Sequence, residues 1–232
     1  MNGMLLAAAG TAAILLIGEW LWQKHILKGE YARKFVHILA ASYAAFWPLF
    51  VSRINIALLS LIFVAALIII KQLHMFNSLH SIKRATYGEI WYAVSIGVVA
   101  LVFRSDAIYA IAVLHMALAD GFAAVVGTSL AKKAKIFHFR GCRKSLAGTM
   151  TFILFSFLLN LIYWTLISHH ALIYHGFYIS PVLYSLVCAL ILGITEIVAP
   201  KGSDNVFVPF LSGLLLWVPA VWLASTLLTT YH

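Results

Sequence analysis

Charge is what this chain has least of: charged residues make up 10% of its 232 positions, and only 7 residues are acidic. A soluble domain carries charge on roughly a quarter of its residues, so that class is excluded. Cysteine is nearly absent as well. Cys142 and Cys188 give neither a disulfide framework nor a CxxC metal pattern. The GxxxxGK[ST], HExxH and GxSxG motifs do not occur, which removes the phosphate-loop nucleotidases, the zinc proteases of that signature and the α/β-hydrolases. No repeat, linker or low-complexity segment is visible, so residues 1–232 read as a single transmembrane domain.

What the chain has instead is apolar sequence, 63% of the total, more than one soluble core of this size absorbs. It falls into eight runs: Met4–Trp22, Phe35–Val51, Ile54–Ile70, Ile90–Phe103, Ala107–Leu130, Leu146–Ile167, Pro181–Ala199 and Val206–Leu228. The expected fold is an all-α integral membrane protein, a polytopic bundle of about eight transmembrane helices. The first run reads as a retained helix, because no basic residue precedes it and no small-residue cleavage site follows. Pro48 should kink or end the second. The fourth, 14 residues long, is either a short tilted span or half of a re-entrant hairpin with the fifth.

The net charge of +9 has two ordinary sources in such a protein, topology and the binding of anionic groups; nucleic acid is not among the expected partners. Loops one, three, five and seven carry 4, 3, 6 and 1 Lys or Arg, against Arg53 and Arg104 alone elsewhere. That bias puts the odd loops in the cytoplasm and both termini on the non-cytoplasmic side. A multi-pass protein in a lipid bilayer follows, with its polar chemistry at the cytoplasmic face.

Every unusual polar group lies in or beside an odd loop. Arg33, Lys34 and His37 share one face at the start of the second run, where they either hold a phosphate or anchor the helix at the interface by snorkelling. Asp120 lies inside the fifth run, about 15 Å deep at roughly 1.5 Å per residue, and a carboxylate there costs about 2.5 to 3.5 kcal/mol on insertion scales. It needs a partner or a task. Ala119, Ala123, Gly127 and Ala131 recur every four residues beside it and form a smooth ridge for close helix packing. Glu196 sits one turn from the end of the seventh run, and Pro200 and Gly202 allow a turn that folds Asp204 back toward it. Three carboxylates would then face the basic fifth loop, either as structural salt bridges or as hard oxygen ligands for a magnesium nucleotide.

Taken in order, Arg33, Lys34 and His37, then Arg84, Tyr87, Gly88 and Glu89, then Asp120, Gly121, Ala123 and Gly127, then Lys144, Ser145, Gly148 and Thr149, then Glu196, Asp204, Asn205 and Pro209 form one series. In this series, from about residue 33 to 209, the chain resembles the membrane family that includes dolichol kinase, phytol kinase and the CTP-dependent diacylglycerol kinase, distant relatives of the phosphatidate cytidylyltransferases. It departs from the pattern at Ala131, where relatives often have glycine before the lysine, and it lacks the cytidylyltransferase signature. The resemblance implies a kinase that passes the γ-phosphate of CTP, or another nucleoside triphosphate, to an isoprenoid or other lipid alcohol, with Mg2+ as cofactor. It assigns Lys132, Arg143, Lys144 and Ser145 to the triphosphate, with Arg33, Lys34 and His37 as further phosphate contacts. Asp204 and Glu196 are the expected metal ligands. Asp120 is either a third ligand or the base that orients the alcohol, and Arg84, Glu89, Gly121, Gly127, Gly148 and Asn205 support the site. A diacylglycerol-directed or cytidylyltransferase-like enzyme is the alternative of the same class. A proton-coupled transporter is the alternative of another.

Overall fold

The computed structural model describes residues 2–73, 88–131, 133, 135–139, 142–167, 172–174, 177–199 and 202–230. A helix lies at each apolar run: α1 (Asn2–Gln23), α2 (Glu30–Ala45), α3 (Arg53–Gln72), α4 (Gly88–Val102), α5 (Asp106–Ser129), α6 (Leu146–Ile162), α7 (Pro181–Val198) and α8 (Asp204–Thr230). Among the described residues five helical segments are long and apolar enough to cross a membrane: α1, Arg53–Ile70 of α3, α5, Leu146–Thr165 and α7. The fold is thus a helical, multi-pass membrane bundle. α4 and the Asp204–Ala220 part of α8 are apolar but shorter.

Pro48 ends the second helix as expected, the fourth run forms one helix, and two of the loops hold short hairpins that the sequence reading did not anticipate. α2 stops at Ala45, short of the expected Val51, and the chain makes one 3-10 turn over Trp47–Leu49. Pro48 explains this, since it has no N–H to donate and biases its predecessor away from helix. The fourth run is one helix, separated from α5 at Ser105, whose hydroxyl accepts from the Ile108 N–H at 3.4 Å and caps α5. The basic fifth loop contains an antiparallel hairpin, β1 (Ile136–Phe139) with β2 (Cys142–Ser145), in which Ile136 faces Ser145 and His138 faces Arg143. A second hairpin joins β3 (Leu172–Tyr174) to β4 (Phe177–Ile179). Runs such as IFHF are short and rich in β-prone residues, a signal that the charge of the surrounding loop hid.

Trp47, Phe103, Tyr109, Met116, Trp164 and Leu216 anchor the main core between α2, α4, α5, α6 and α8. One buried polar group sits inside it. His115 Nδ1 donates to the Ile111 carbonyl at 2.8 Å and lies 3.0 Å from Ser212 Oγ, while Asn160 Nδ2 is 3.2 Å from His115 Nε2. These contacts give both ring nitrogens of the buried His115 a partner that water cannot supply, while Asn160 Oδ1 has none.

Small residues bring α5 and α6 together, as the ridge on α5 foretold. A Cβ on Gly148 would lie 2.8 Å from the Ala123 carbonyl oxygen, and one on Gly127 would lie 2.8 Å from Ser145 Oγ. Gly148→Val therefore forces the helices apart at a backbone contact that has no flexible side chain to move. Overpacking of this kind costs about 1 to 3 kcal/mol, so the variant should melt several degrees lower in detergent. An unchanged melting temperature would show that the contact is looser than described.

Candidate active site

The first turns of α2, α4 and α8, the middle of α5, the end of α7 and strand β2 meet at one end of the bundle. Helical spacing puts Arg33, Lys34 and His37 close together, and the structure pairs Arg33 with glutamates while Lys34 and His37 share Asp120. Arg33 Nη2 binds Glu30 Oε1 at 2.5 Å, and its Nη1 lies 3.8 Å from Glu89 Oε1 on α4. Lys34, only 3% exposed, donates through Nζ to Asp120 Oδ2. His37 Nε2 lies 3.4 Å from that same oxygen and 2.9 Å from the Met116 carbonyl.

A π-helical turn over His115–Asp120 explains how α5 presents these groups. The wider turn loosens the regular ladder, leaving the Met116 carbonyl for His37, and it delivers Asp120 to the α2 face. Gly121 follows immediately, and a Cβ there would lie 2.3 Å from Ile38, so glycine lets α5 approach α2 closely at this level.

A second lysine organises the other half. Lys144 on β2 donates through Nζ to Glu196 Oε1 at the end of α7 and lies 3.5 Å from Asp204 Oδ2 at the start of α8. Burial by itself lowers the pKa of the Lys144 ammonium, but Glu196 and Asp204 outweigh it and hold the group above its ordinary value. Ser145 then caps α6, its Oγ accepting from the Gly148 N–H at 3.1 Å. The turn before α8 is fastened to α4: Asn205 Nδ2 donates to the Gly88 carbonyl at 2.9 Å. Gly202 makes the approach possible, with a φ of +87° and a would-be Cβ only 2.9 Å from Gly88 Cα.

The two halves form one electrostatic unit, because Asp120 interacts with Lys144 and Asp204 as well as with Lys34. The structure thus brings together Arg33, Lys34, His37, Glu89, Asp120, Lys144, Ser145, Glu196, Asp204 and Asn205. Lys34, expected at a phosphate, is engaged by Asp120 here. Arg84 and Lys132, like the side chain of Arg143, lie outside the described residues. Glu30 was not anticipated, although its spacing of three from Arg33 was a signal for the pair.

Among the described residues no three His, Cys, Asp or Glu side chains are gathered closely enough to enclose a metal. Glu196 Oε2, however, is buried and has no hydrogen-bond partner, and Asp204 shares Lys144 with it. Two hard carboxylates with an open oxygen fit magnesium, which takes one or two carboxylates and completes its shell with phosphates and water. Next to this polar cluster a partly open apolar cavity runs between α1, α2, α3 and α4, with Arg33, His37 and Glu89 at one end.

A helical membrane bundle with a buried lysine and carboxylate cluster beside an apolar cavity is suited to a lipid headgroup reaction. Over 229 residues the chain is 32% identical to phytol kinase from Synechocystis sp. (strain ATCC 27184 / PCC 6803 / Kazusa), covering 94% of this chain and 92% of that protein. The chain belongs to the lipid-alcohol kinase family that includes phytol kinase. No family model matches it. No solved structure matches it either.

Proposed function

We propose that this protein transfers the γ-phosphoryl group of CTP to the hydroxyl of an isoprenoid alcohol, with phytol the favoured acceptor, at the cytoplasmic face of its membrane. The carrying observation is the position of Asp120, bound by Lys34 and approached by His37, within electrostatic reach of the Lys144, Glu196 and Asp204 group. The similarity to a phytol kinase supports the acceptor, and the resemblance of the motif series supports CTP. The excess of Lys and Arg in the odd loops supports the cytoplasmic face and an eight-span topology with both termini outside.

In the reaction the acceptor oxygen bonds to the γ-phosphorus, the bond from that phosphorus to the β,γ-bridging oxygen breaks, and CDP leaves. The loose transition state spreads negative charge over the phosphoryl oxygens, so positioning and neutralisation do most of the work. Magnesium, when bound, would supply part of that neutralisation. Glu196 and Asp204 would be its protein ligands, freeing Lys144 to turn to the phosphates. Arg33 adds a second cation at the lipid side. Asp120 holds the acceptor hydroxyl and takes its proton, while Lys34 and His37 fix the carboxylate in place.

The test is label transfer. Purified protein in lipid nanodiscs receives γ-labelled CTP or ATP with magnesium and a panel of phytol, geranylgeraniol, undecaprenol and diacylglycerol. Label in an isoprenoid alcohol, with CTP as the better donor, is expected. Label in diacylglycerol alone, or in no lipid, would overturn the proposal.

A further inference from the structure

Two aromatic rings line one end of the cavity between α1, α2, α3 and α4, and that end points to how the acceptor is selected. Its α3 wall runs from Ser60 to Ile70, about 15 Å at roughly 1.5 Å per residue. The mouth is polar, with Arg33, His37 and Glu89 beside the site just described. The α2 wall below it is smooth, made by Val36, Ala40 and Ala44. Two hydroxyls on the wall, Ser60 and Thr11, are turned to the Ala93 and Ala7 carbonyls at 2.6 and 2.9 Å, while the Tyr92 hydroxyl has no hydrogen-bond partner in an otherwise apolar lining. At the far end Trp47 and Phe63 stack with ring centroids 6.0 Å apart. Trp47 is 1% exposed and braced edge-on by Tyr43, so this floor is part of the core and does not yield easily.

We propose that this cavity holds the acceptor's hydrocarbon chain with its hydroxyl at the Arg33 and His37 end, and that the Trp47 and Phe63 floor measures chain length. The inference rests on the kinase reading and adds a specificity determinant to it. A slot about 15 Å deep is about half the thickness of a bilayer core. A diterpenoid chain such as phytol or geranylgeraniol fills it when its isoprene units are bent and not fully extended, and an undecaprenyl chain is several times too long. The branch methyls of an isoprenoid fill the width that the alanine wall leaves open, which a straight acyl chain does not. Two acyl chains on one headgroup would not enter together.

Two measurements on the full-length protein in nanodiscs separate this inference from the kinase reading. In the first, kcat/KM is compared for farnesol, geranylgeraniol, phytol, solanesol and undecaprenol. The wild type should peak at the diterpenoids, with undecaprenol at least tenfold poorer. Phe63→Ala and Trp47→Ala should move the ratio of solanesol to geranylgeraniol upward by about tenfold. Ala44→Leu, which shortens the slot without opening the core, should move the optimum to farnesol. Identical length profiles in wild type and in any folded, active variant overturn the ruler. In the second, a geranylgeraniol analogue with a diazirine at its far end is photolysed in the wild type and the labelled peptides are mapped. Label on Trp47, Phe63 or Ser60 supports the cavity even if no phosphate is transferred, and label confined to other helices overturns it.

Discussion

Asp120→Asn should leave a protein that still assembles in the membrane but transfers phosphate at least about a hundredfold more slowly, the scale of losing a positioned general base. The amide keeps the size of the carboxylate and loses its charge and its proton affinity. The same change strips Lys34 of its counter-ion. Lys34 is 3% exposed, and breaking a buried pair by removing one partner costs about 3 to 5 kcal/mol. A drop in melting temperature is therefore expected alongside the loss of turnover, and the two effects need to be separated. Combining Lys34→Gln with Asp120→Asn places two neutral amides where two charges stood, so most of the stability should return. Activity should not. Near-native turnover in Asp120→Asn would remove Asp120 from the chemistry, and recovery of turnover in the double variant would make its role structural.

Lys144→Met should have the second largest effect, expressed on the nucleotide side. Its ammonium sits between Glu196 and Asp204, and Asp120 is within electrostatic reach, so methionine leaves three carboxylates facing an incoming triphosphate with one cation fewer. Loss of one preorganised group that stabilises transition-state charge costs about 10² to 10³ in rate. We expect kcat/KM for CTP to fall by that order, with KM for the lipid alcohol changed less than threefold. Lys144→Arg should recover part of the loss, since charge is kept while the compact ammonium geometry is not. An unchanged dependence on nucleotide concentration in Lys144→Met would sever Lys144 from the phosphates.

These residues were visible in the sequence because membrane burial makes charge conspicuous. Asp120 and Glu196 stand out in apolar runs, and the odd loops collect the cations. Helix positions followed from the same runs. Partner choice was not legible. Whether Asp120 meets Lys34, Arg33 or Lys144 depends on the π turn at His115–Asp120 and on the close approach at Gly121, and neither has a local signature. The sharing of Lys144 by Glu196 and Asp204 depends on the β1/β2 hairpin, which presents that lysine, and on Gly202, which lets the α8 start rest against Gly88. The cavity was hidden for another reason. Its walls are ordinary apolar residues, and only the packing of four helices shows that Ala40 and Ala44 leave space and that Trp47 and Phe63 line one end of it.

Product analysis after a single incubation is the most direct measurement. Purified protein, CTP, magnesium and phytol are combined, and the phosphorus-containing products are identified by phosphorus NMR and mass spectrometry. Phytyl monophosphate and CDP should form in equal amounts, and neither should form with Asp120→Asn. A cytidylyl lipid with pyrophosphate, or CTP left unconsumed with phytol intact, would contradict the assignment of this chain as an isoprenoid-alcohol kinase.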